Sequence, residues 1–266
     1  MSRLTNKFAE LNKNKKKALV GFISAGDPDF GYCEKIMKIL PESGIDIIEL
    51  GLPFSDPMAD GPTIQRSSQR AINAGFSLKK TFEMVKRFRL LDNKTPIVFM
   101  GYFNLMFQYG IKKFFNTMKK FKIDGLIIVD LPPEENSILQ GFHKKNDIDI
   151  IRLVTPTTDK DRLKVILKNA SGFLYYVSIM GITGTKKPSL KKVNNAVAQI
   201  RKQTKIPIVV GFGINNKFQI KQISKFADGS VVGSSLVKII EESNKNKIIE
   251  NLKKFIKLLN SSCYTN

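Results

Sequence analysis

Short apolar runs rich in β-branched residues recur eight times along the chain. They are ALVGFIS (18–24), DIIEL (46–50), PIVFMGY (96–102), GLIIVD (125–130), IIRLVTP (150–156), GFLYYVS (172–178), PIVVGFG (207–213) and GSVVGSS (229–235). Each is short and nearly continuous in apolar character, the pattern of a parallel strand covered on both faces. Between them, apolar residues three to four apart predict helices, as in CEKIMKILPESG (33–44), LKKTFEMVKRFRLL (78–91), GIKKFFNTMKKFK (110–122) and FQIKQISKFA (218–227). The runs start 22 to 50 residues apart, which leaves room for one helix between successive strands. Eight strands alternating with helices over about 250 residues predict an α/β fold, a (β/α)8 barrel.

Two additions to that frame are legible. RLTNKFAELNKNKK (3–16) predicts an extra N-terminal helix, and LVKIIEE (236–242) a short extra helix after the eighth strand. The widest interval, after the second strand, is read as a long ordered loop before its helix. No linker or low-complexity stretch divides residues 1–266, so a single domain is expected.

Barrels of this kind place their chemistry at the C-terminal ends of the strands. There the second strand carries Glu49 among Ile47, Ile48 and Leu50, and the loop behind it, LPFSDPMADGP, adds Asp56 and Asp60. A carboxylate buried among isoleucines costs several kcal/mol unless it is paired or neutralised. Its alternative, a structural ion pair, lacks a basic partner at the neighbouring strand ends. Asp56-Pro57 reads as a turn, and local pattern leaves Asp60 open between turn and site.

Gly211-Phe212-Gly213 and Gly233-Ser234 close the last two strands, where glycines let backbone N–H groups approach an anion and the helix from Leu236 aims its positive end at the same place. The segment from Met180 to Pro188, with Gly181, Thr183 and Gly184, resembles a lid over ligand. Phe22 and Tyr175 could line an aromatic slot or simply fill core. The lone His143, in GFHKKND, reads as solvated, which argues against His-dependent triads and metal sites. Taken alone, these residues suggest a barrel enzyme acting on a phosphorylated small molecule, two carboxylates moving its protons. Isomerisation, aldol-type cleavage and ring closure all stay open.

Composition narrows the class. The chain is 42% hydrophobic and 25% charged, as a globular protein should be, and no apolar run reaches the about 18 residues of a membrane span. Cys33 and Cys263 lack metal-type spacing and fit a reducing, cytoplasmic setting. Forty-four basic residues against 23 acidic give a net charge of +21, which raises nucleic acid as a partner. The lysines are spread over nearly every segment and no nucleic-acid motif accompanies them, so neither nucleic acid nor membrane is expected as a partner.

The run Glu49-Leu-Gly-Leu-Pro-Phe-Ser-Asp-Pro-Met-Ala-Asp60-Gly-Pro-Thr-Ile-Gln65 resembles the signature of the tryptophan synthase α-subunit family. Phe8-Ala-Glu-Leu11, Gly26-Asp-Pro28, Tyr102-Phe-Asn104, Asp130-Leu-Pro132, Gly181-Ile-Thr-Gly184, Gly211-Phe-Gly-Ile214 and Gly233-Ser234 extend the resemblance along nearly the whole chain. It implies a lyase that cleaves indole-3-glycerol phosphate to indole and glyceraldehyde 3-phosphate. Glu49 would act at indole C3 and at the glycerol hydroxyl, and Asp60 at the indole N–H. Phe22 and Tyr175 would flank the indole, while Gly184, Gly211, Phe212, Gly213, Gly233 and Ser234 would hold the substrate and its phosphate. Residues 53–61 would form a second mobile loop beside the lid. The resemblance further implies an α2β2 assembly with a β subunit that receives the indole. Pyridoxal phosphate would sit only on that β subunit, with no cofactor on this chain. A departure lies in the lid, where Ile179-Met180 stands in place of a polar or basic residue. Two rivals remain: another phosphate-binding barrel of the same pathway, which would need a strand-end Lys or Cys absent here, and a silent barrel that only activates its β partner.

Overall fold

A computed structural model of the chain describes residues 2–139, 141–178, 189–211 and 213–264. Its elements begin with α1 (Arg3–Lys13), β1 (Ala18–Ser24), α2 (Phe30–Ser43) and β2 (Ile47–Gly51). Then come α3 (Pro62–Asn73), α4 (Leu78–Leu91), β3 (Ile97–Gly101), α5 (Phe103–Tyr109), α6 (Ile111–Lys120) and β4 (Gly125–Ile128). A 3-10 turn at Pro133–Leu139 leads to α7 (Phe142–Lys145), β5 (Asp149–Ile150), β6 (Arg152–Val154), α8 (Lys160–Leu167) and β7 (Leu174–Val177). The last are α9 (Leu190–Arg201), β8 (Ile208–Gly211), α10 (Lys217–Ile223), β9 (Gly229–Val232), α11 (Ser234–Glu242) and α12 (Ile248–Asn260).

All the strands belong to one sheet, in the order β5-β4-β3-β2-β1-β9-β8-β7-β6, and every neighbouring pair is parallel. The two edges, β5 and β6, are separated only by Ile151, whose N–H still donates to the Leu126 carbonyl at 3.0 Å. They are two halves of one stave. The predicted fifth strand (150–156) is therefore split, one half pairing with β4 and the other with β7, and the sheet closes as a (β/α)8 barrel.

Side chains alternate across this sheet, so the core has two layers. Leu19, Ile23, Ile48, Leu50, Ile97 and Phe99 face outward and pack with the helices. Val20, Ile47, Val98, Ile127, Ile151, Val209 and Val231 fill the barrel interior. Burial on both faces is why the strands read as continuous apolar runs. At the N-terminal mouth, Leu4 and Leu11 of α1 join the interior cluster and Phe8 packs on Phe173 with ring centroids 5.9 Å apart. The extra helix is a stopper.

The same rim carries a repeated device. Asp46, Asp124 and Asp228 each precede a strand, and their Oδ2 atoms accept the N–H groups of Leu19, Ile97 and Ile208 at 2.9, 2.8 and 2.8 Å. Each is paired with a cation: Lys16 at 2.6 Å, Arg89 at 2.8 Å together with Arg3, and Arg201 at 2.5 Å. Charged stitches at the N-terminal face belong to stability.

Three local expectations are corrected. The long interval after β2 holds a helix, α3, as well as a loop; its buried positions are Ser67, Ser68 and Ala71, too small and polar to show an apolar period. No element is predicted from the sequence between the third strand and the helix over 110–122; α5 stands there, ended at Gly110, whose φ is +87°. His143 is buried, 6% exposed, with its ring 6.5 Å from Phe115, so it is a packed residue of α7 and not a solvated one. Burial, then Lys144 and Arg152, lower its basicity.

Candidate active site

β2 is buried along its whole length, and alternation turns Glu49 into the barrel, level with Phe22 on β1 and Val98 on β3. The residue is 1% exposed and neither carboxyl oxygen has a hydrogen-bond partner among the described residues. Burial first, then the nearby Asp60 charge, push its pKa up to about 8. At neutral pH Glu49 is an acid holding its proton, the form a general acid requires.

Asp60 comes from the loop between β2 and α3. Its N–H donates to the Pro57 carbonyl at 3.0 Å, and its own carbonyl accepts from Gln65 Nε2 at 2.9 Å. The Tyr102 hydroxyl accepts the Ala59 N–H at 2.9 Å, and the Tyr102 ring stacks on Phe54 with centroids 5.0 Å apart. Burial raises Asp60 to about 6, while a hydrogen bond from Tyr102 pulls the other way. The two acids are thus held apart, Glu49 protonated and Asp60 ionised near pH 7. Asp56, read from the sequence as part of a turn, is exposed, and its side chain accepts the Ser55 hydroxyl at 3.0 Å.

A cavity of about 600 Å³ opens between them at the C-terminal strand ends. It is lined by Glu49, Asp60, Phe22, Tyr175, Gly211, Gly213, Gly233 and Ser234, every sequence-predicted catalytic or substrate residue that lies among the described ones. Phe212, Gly181, Thr183 and Gly184, with Ile179 and Met180, lie outside the described residues. Sequence reasoning missed the apolar wall of Met100, Val129, Leu153, Val177 and Val231, the Ile64 side of α3, and the Tyr102 link to the acid loop. Alternation along the strands was the available signal, since each of those wall residues shares the inward parity of Glu49 or Phe22.

Two glycines make room for the aromatic rings. A Cβ on Gly51 would lie 2.5 Å from Phe22 Cζ, and one on Gly211 would lie 2.8 Å from Tyr175 Cε1. Gly51→Ala is therefore expected to displace the Phe22 ring and weaken binding of a planar aromatic probe in the cavity, measured as a raised dissociation constant; unchanged binding would remove Gly51 from this role. Opposite the acids, α11 starts at Ser234 with no side-chain cap on its first turn, so its N–H groups and positive dipole end face the cavity beside Gly213 and Gly233. One end of the cavity suits an anion. The other offers an acid, a carboxylate and two rings.

A closed barrel with paired carboxyl groups over an apolar cavity defines the class: (β/α)8 proteins whose chemistry sits at the C-terminal strand ends. Within that class, residues 8–263 match the family model described as Tryptophan synthase alpha chain. A tryptophan synthase subunit alpha from Legionella pneumophila str. Paris is 36% identical, covering 99% of this chain and 98% of its own at a TM-score of 0.92. An Aquifex aeolicus VF5 structure is 36% identical with full coverage of both chains and a TM-score of 0.91. Tryptophan synthase from M. tuberculosis in an aminoacrylate-bound form is 30% identical, covering 99% of this chain and 100% of that one, TM-score 0.89. The chain belongs to the tryptophan synthase alpha chain family.

Proposed function

We propose that the protein is a carbon–carbon lyase that cleaves indole-3-glycerol phosphate to indole and glyceraldehyde 3-phosphate. The observation that carries this reading is Glu49: buried, without a hydrogen-bond partner among the described residues and still protonated at neutral pH, level with Phe22 and inside one cavity with Asp60. The indole ring lies between Phe22 and Tyr175. Glu49 gives its proton to indole C3, and Asp60 accepts from the indole N–H as positive charge spreads into the ring. The resulting Glu49 carboxylate takes the proton of the glycerol hydroxyl, the carbon–carbon bond breaks, and the electron pair returns to the ring. Glu49 ends as it began, so no external acid, oxidant or metal is consumed. Gly213, Gly233, Ser234 and the start of α11 hold the phosphate.

Indole is then handed to a β subunit in an α2β2 assembly, the α part of tryptophan formation. Pyridoxal phosphate belongs to that subunit, and this chain needs no cofactor for a proton-transfer reaction. The site of action is the cytoplasm, with no role in nucleic-acid or membrane binding; among the described residues no helix is long and apolar enough to cross a membrane. The direct test is indole release from indole-3-glycerol phosphate, with and without a β subunit. Slow release alone and marked stimulation by the partner are expected; no release under either condition overturns the proposal.

The two acids also set a pH dependence. Asp60 must be ionised to accept from the N–H, so kcat/KM rises as pH passes about 6; Glu49 must be protonated, so it falls above about 8. The apparent values belong to the pair. Tyr102→Phe removes a hydrogen bond that favours the Asp60 carboxylate, so the acidic limb moves to higher pH. An acidic limb left in place would separate Tyr102 from Asp60.

A further inference from the structure

The two ends of the cavity are carried by two helices. α3 begins just after Asp60, and Gln65 on its first turn holds the Asp60 carbonyl at 2.9 Å. α11 begins at Ser234, and Ser235 donates from its hydroxyl to the Ile214 carbonyl at 2.6 Å, beside Gly213. A cationic clamp joins the two. Arg70 on α3 donates from Nε and Nη2 to the two oxygens of Asp27, both at 2.8 Å, and from Nη1 to Glu241 of α11 at 3.0 Å. Arg66, one turn earlier, reaches the two Glu241 oxygens at 2.6 and 2.9 Å. Asp27 lies in the connection after β1, the strand that bears Phe22, and its side chain is fully buried. Ser24 and Ser67 add a hydroxyl pair at 2.6 Å between β1 and α3.

Helix-to-helix adhesion alone does not call for this arrangement. Apolar side chains would hold α3 on α11 without burying a carboxylate, whose desolvation costs several kcal/mol unless it is paired. What the planar guanidinium adds is one orientation, because a bidentate fork fixes distance and angle together. Three elements meet at that fork, and each leads to a different part of the cavity: Asp27 to the Phe22 strand, α3 to Asp60, and Glu241 to the anion end at Ser234.

We propose that Arg70 is a positioning residue that sets the spacing between the acid end and the phosphate end of the cavity, so that it acts on ligands spanning both ends and not on ligands held at one. The proposal rests on the reading of the cavity given above, and deepens it: substrate length is gauged from behind the site by a clamp that touches no substrate atom.

The test compares fragments with a joined molecule. Arg70→Lys keeps a charge beside Asp27 and loses the fork; Glu241→Gln keeps the shape and loses the ion pair. The probes are indole, inorganic phosphate, and an indole carrying phosphate on a saturated three-carbon chain, which cannot be cleaved. In both variants each fragment is expected to bind within about twofold of wild type, while the joined probe weakens about tenfold and kcat for indole-3-glycerol phosphate falls by a similar factor. Wild-type affinity for the joined probe in Arg70→Lys overturns the proposal. So does equal weakening of all three probes alongside a lowered unfolding temperature, the mark of a merely structural clamp. A wild-type protein that binds all three probes and releases no indole refutes the reaction, and the binding contrast then decides the clamp. Wild type that binds none of them overturns both.

Discussion

Glu49→Gln is expected to lower indole release from indole-3-glycerol phosphate by at least about 10²–10⁴-fold, the range set by general acid–base catalysis. The substitution is nearly isosteric, so the aromatic slot and the anion end stay as they are and substrate still binds. It removes the one group that must both give and take a proton. Stability is expected to move the other way. Neither oxygen of Glu49 has a hydrogen-bond partner among the described residues, and burial holds its pKa near 8, so the folded state gains nothing from the charge. Glutamine should unfold at the wild-type temperature or above it, most clearly at pH values where Glu49 would ionise. Activity lost and stability kept is the mark of a residue retained against folding's interest. Turnover near wild type, at matched folded fraction, would sink the assignment of Glu49.

At the opposite rim the expected effect is reversed. Asp124→Ala should destabilise the fold by about 3–5 kcal/mol, the cost of breaking a buried pair by deleting one partner. The side chains of Asp124 and Arg89 are 4% and 5% exposed, and their bond is 2.8 Å. Burial pulls Arg89 down to about 10 and lifts Asp124 above its ordinary value, so each is kept charged by the other. Without Asp124, Arg89 retains among the described residues only carbonyl acceptors at Lys122, Asp92 and Thr95, and the Ile97 N–H loses the Asp124 acceptor as well. The unfolding midpoint should fall by roughly 6–20 °C for a chain of this size. Arg3→Ala is the control, since Arg3 is 29% exposed on its side chain and its loss should cost about 1 kcal/mol or less. Indole release per folded molecule should be unchanged in both variants. Equal, small shifts for the two would show that the Asp124 pair carries no such weight.

These two residues also mark what could be read from the sequence. Glu49 announced itself because an acid in an apolar strand breaks a local pattern, and every inward neighbour that lines the cavity sits at the same parity along its strand. The eight staves were legible for a similar reason: burial on both faces leaves unbroken apolar runs. Phe22 and Tyr175 were nameable by role only through the family resemblance, because an aromatic on a strand reads equally as core. α3 was missed because its buried face is serine and alanine, invisible to an apolar period. His143 was misread because its neighbours in sequence are lysines, while its neighbour in space is Phe115. The Asp27–Arg70 and Arg70–Glu241 pairs span 43 and 171 residues, and no local pattern connects such partners. The choice of Asp60 over Asp56 depends on where a loop folds back, and there the hydrogen bonds to Pro57 and Tyr102 carry the information.

The stopper formed by α1 has a consequence for traffic. With Leu4, Leu11 and Phe8 filling the floor of the barrel, the chamber around Glu49 is a cul-de-sac. Whatever enters or leaves the chamber does so on the C-terminal side, where the Asp60 loop and the start of α11 line the cavity. On the proposed reaction, an indole freed beside Glu49 starts from the closed end and leaves toward the C-terminal face. A receiving subunit, on the proposed function, would then dock over the C-terminal face and not against the floor that α1 closes.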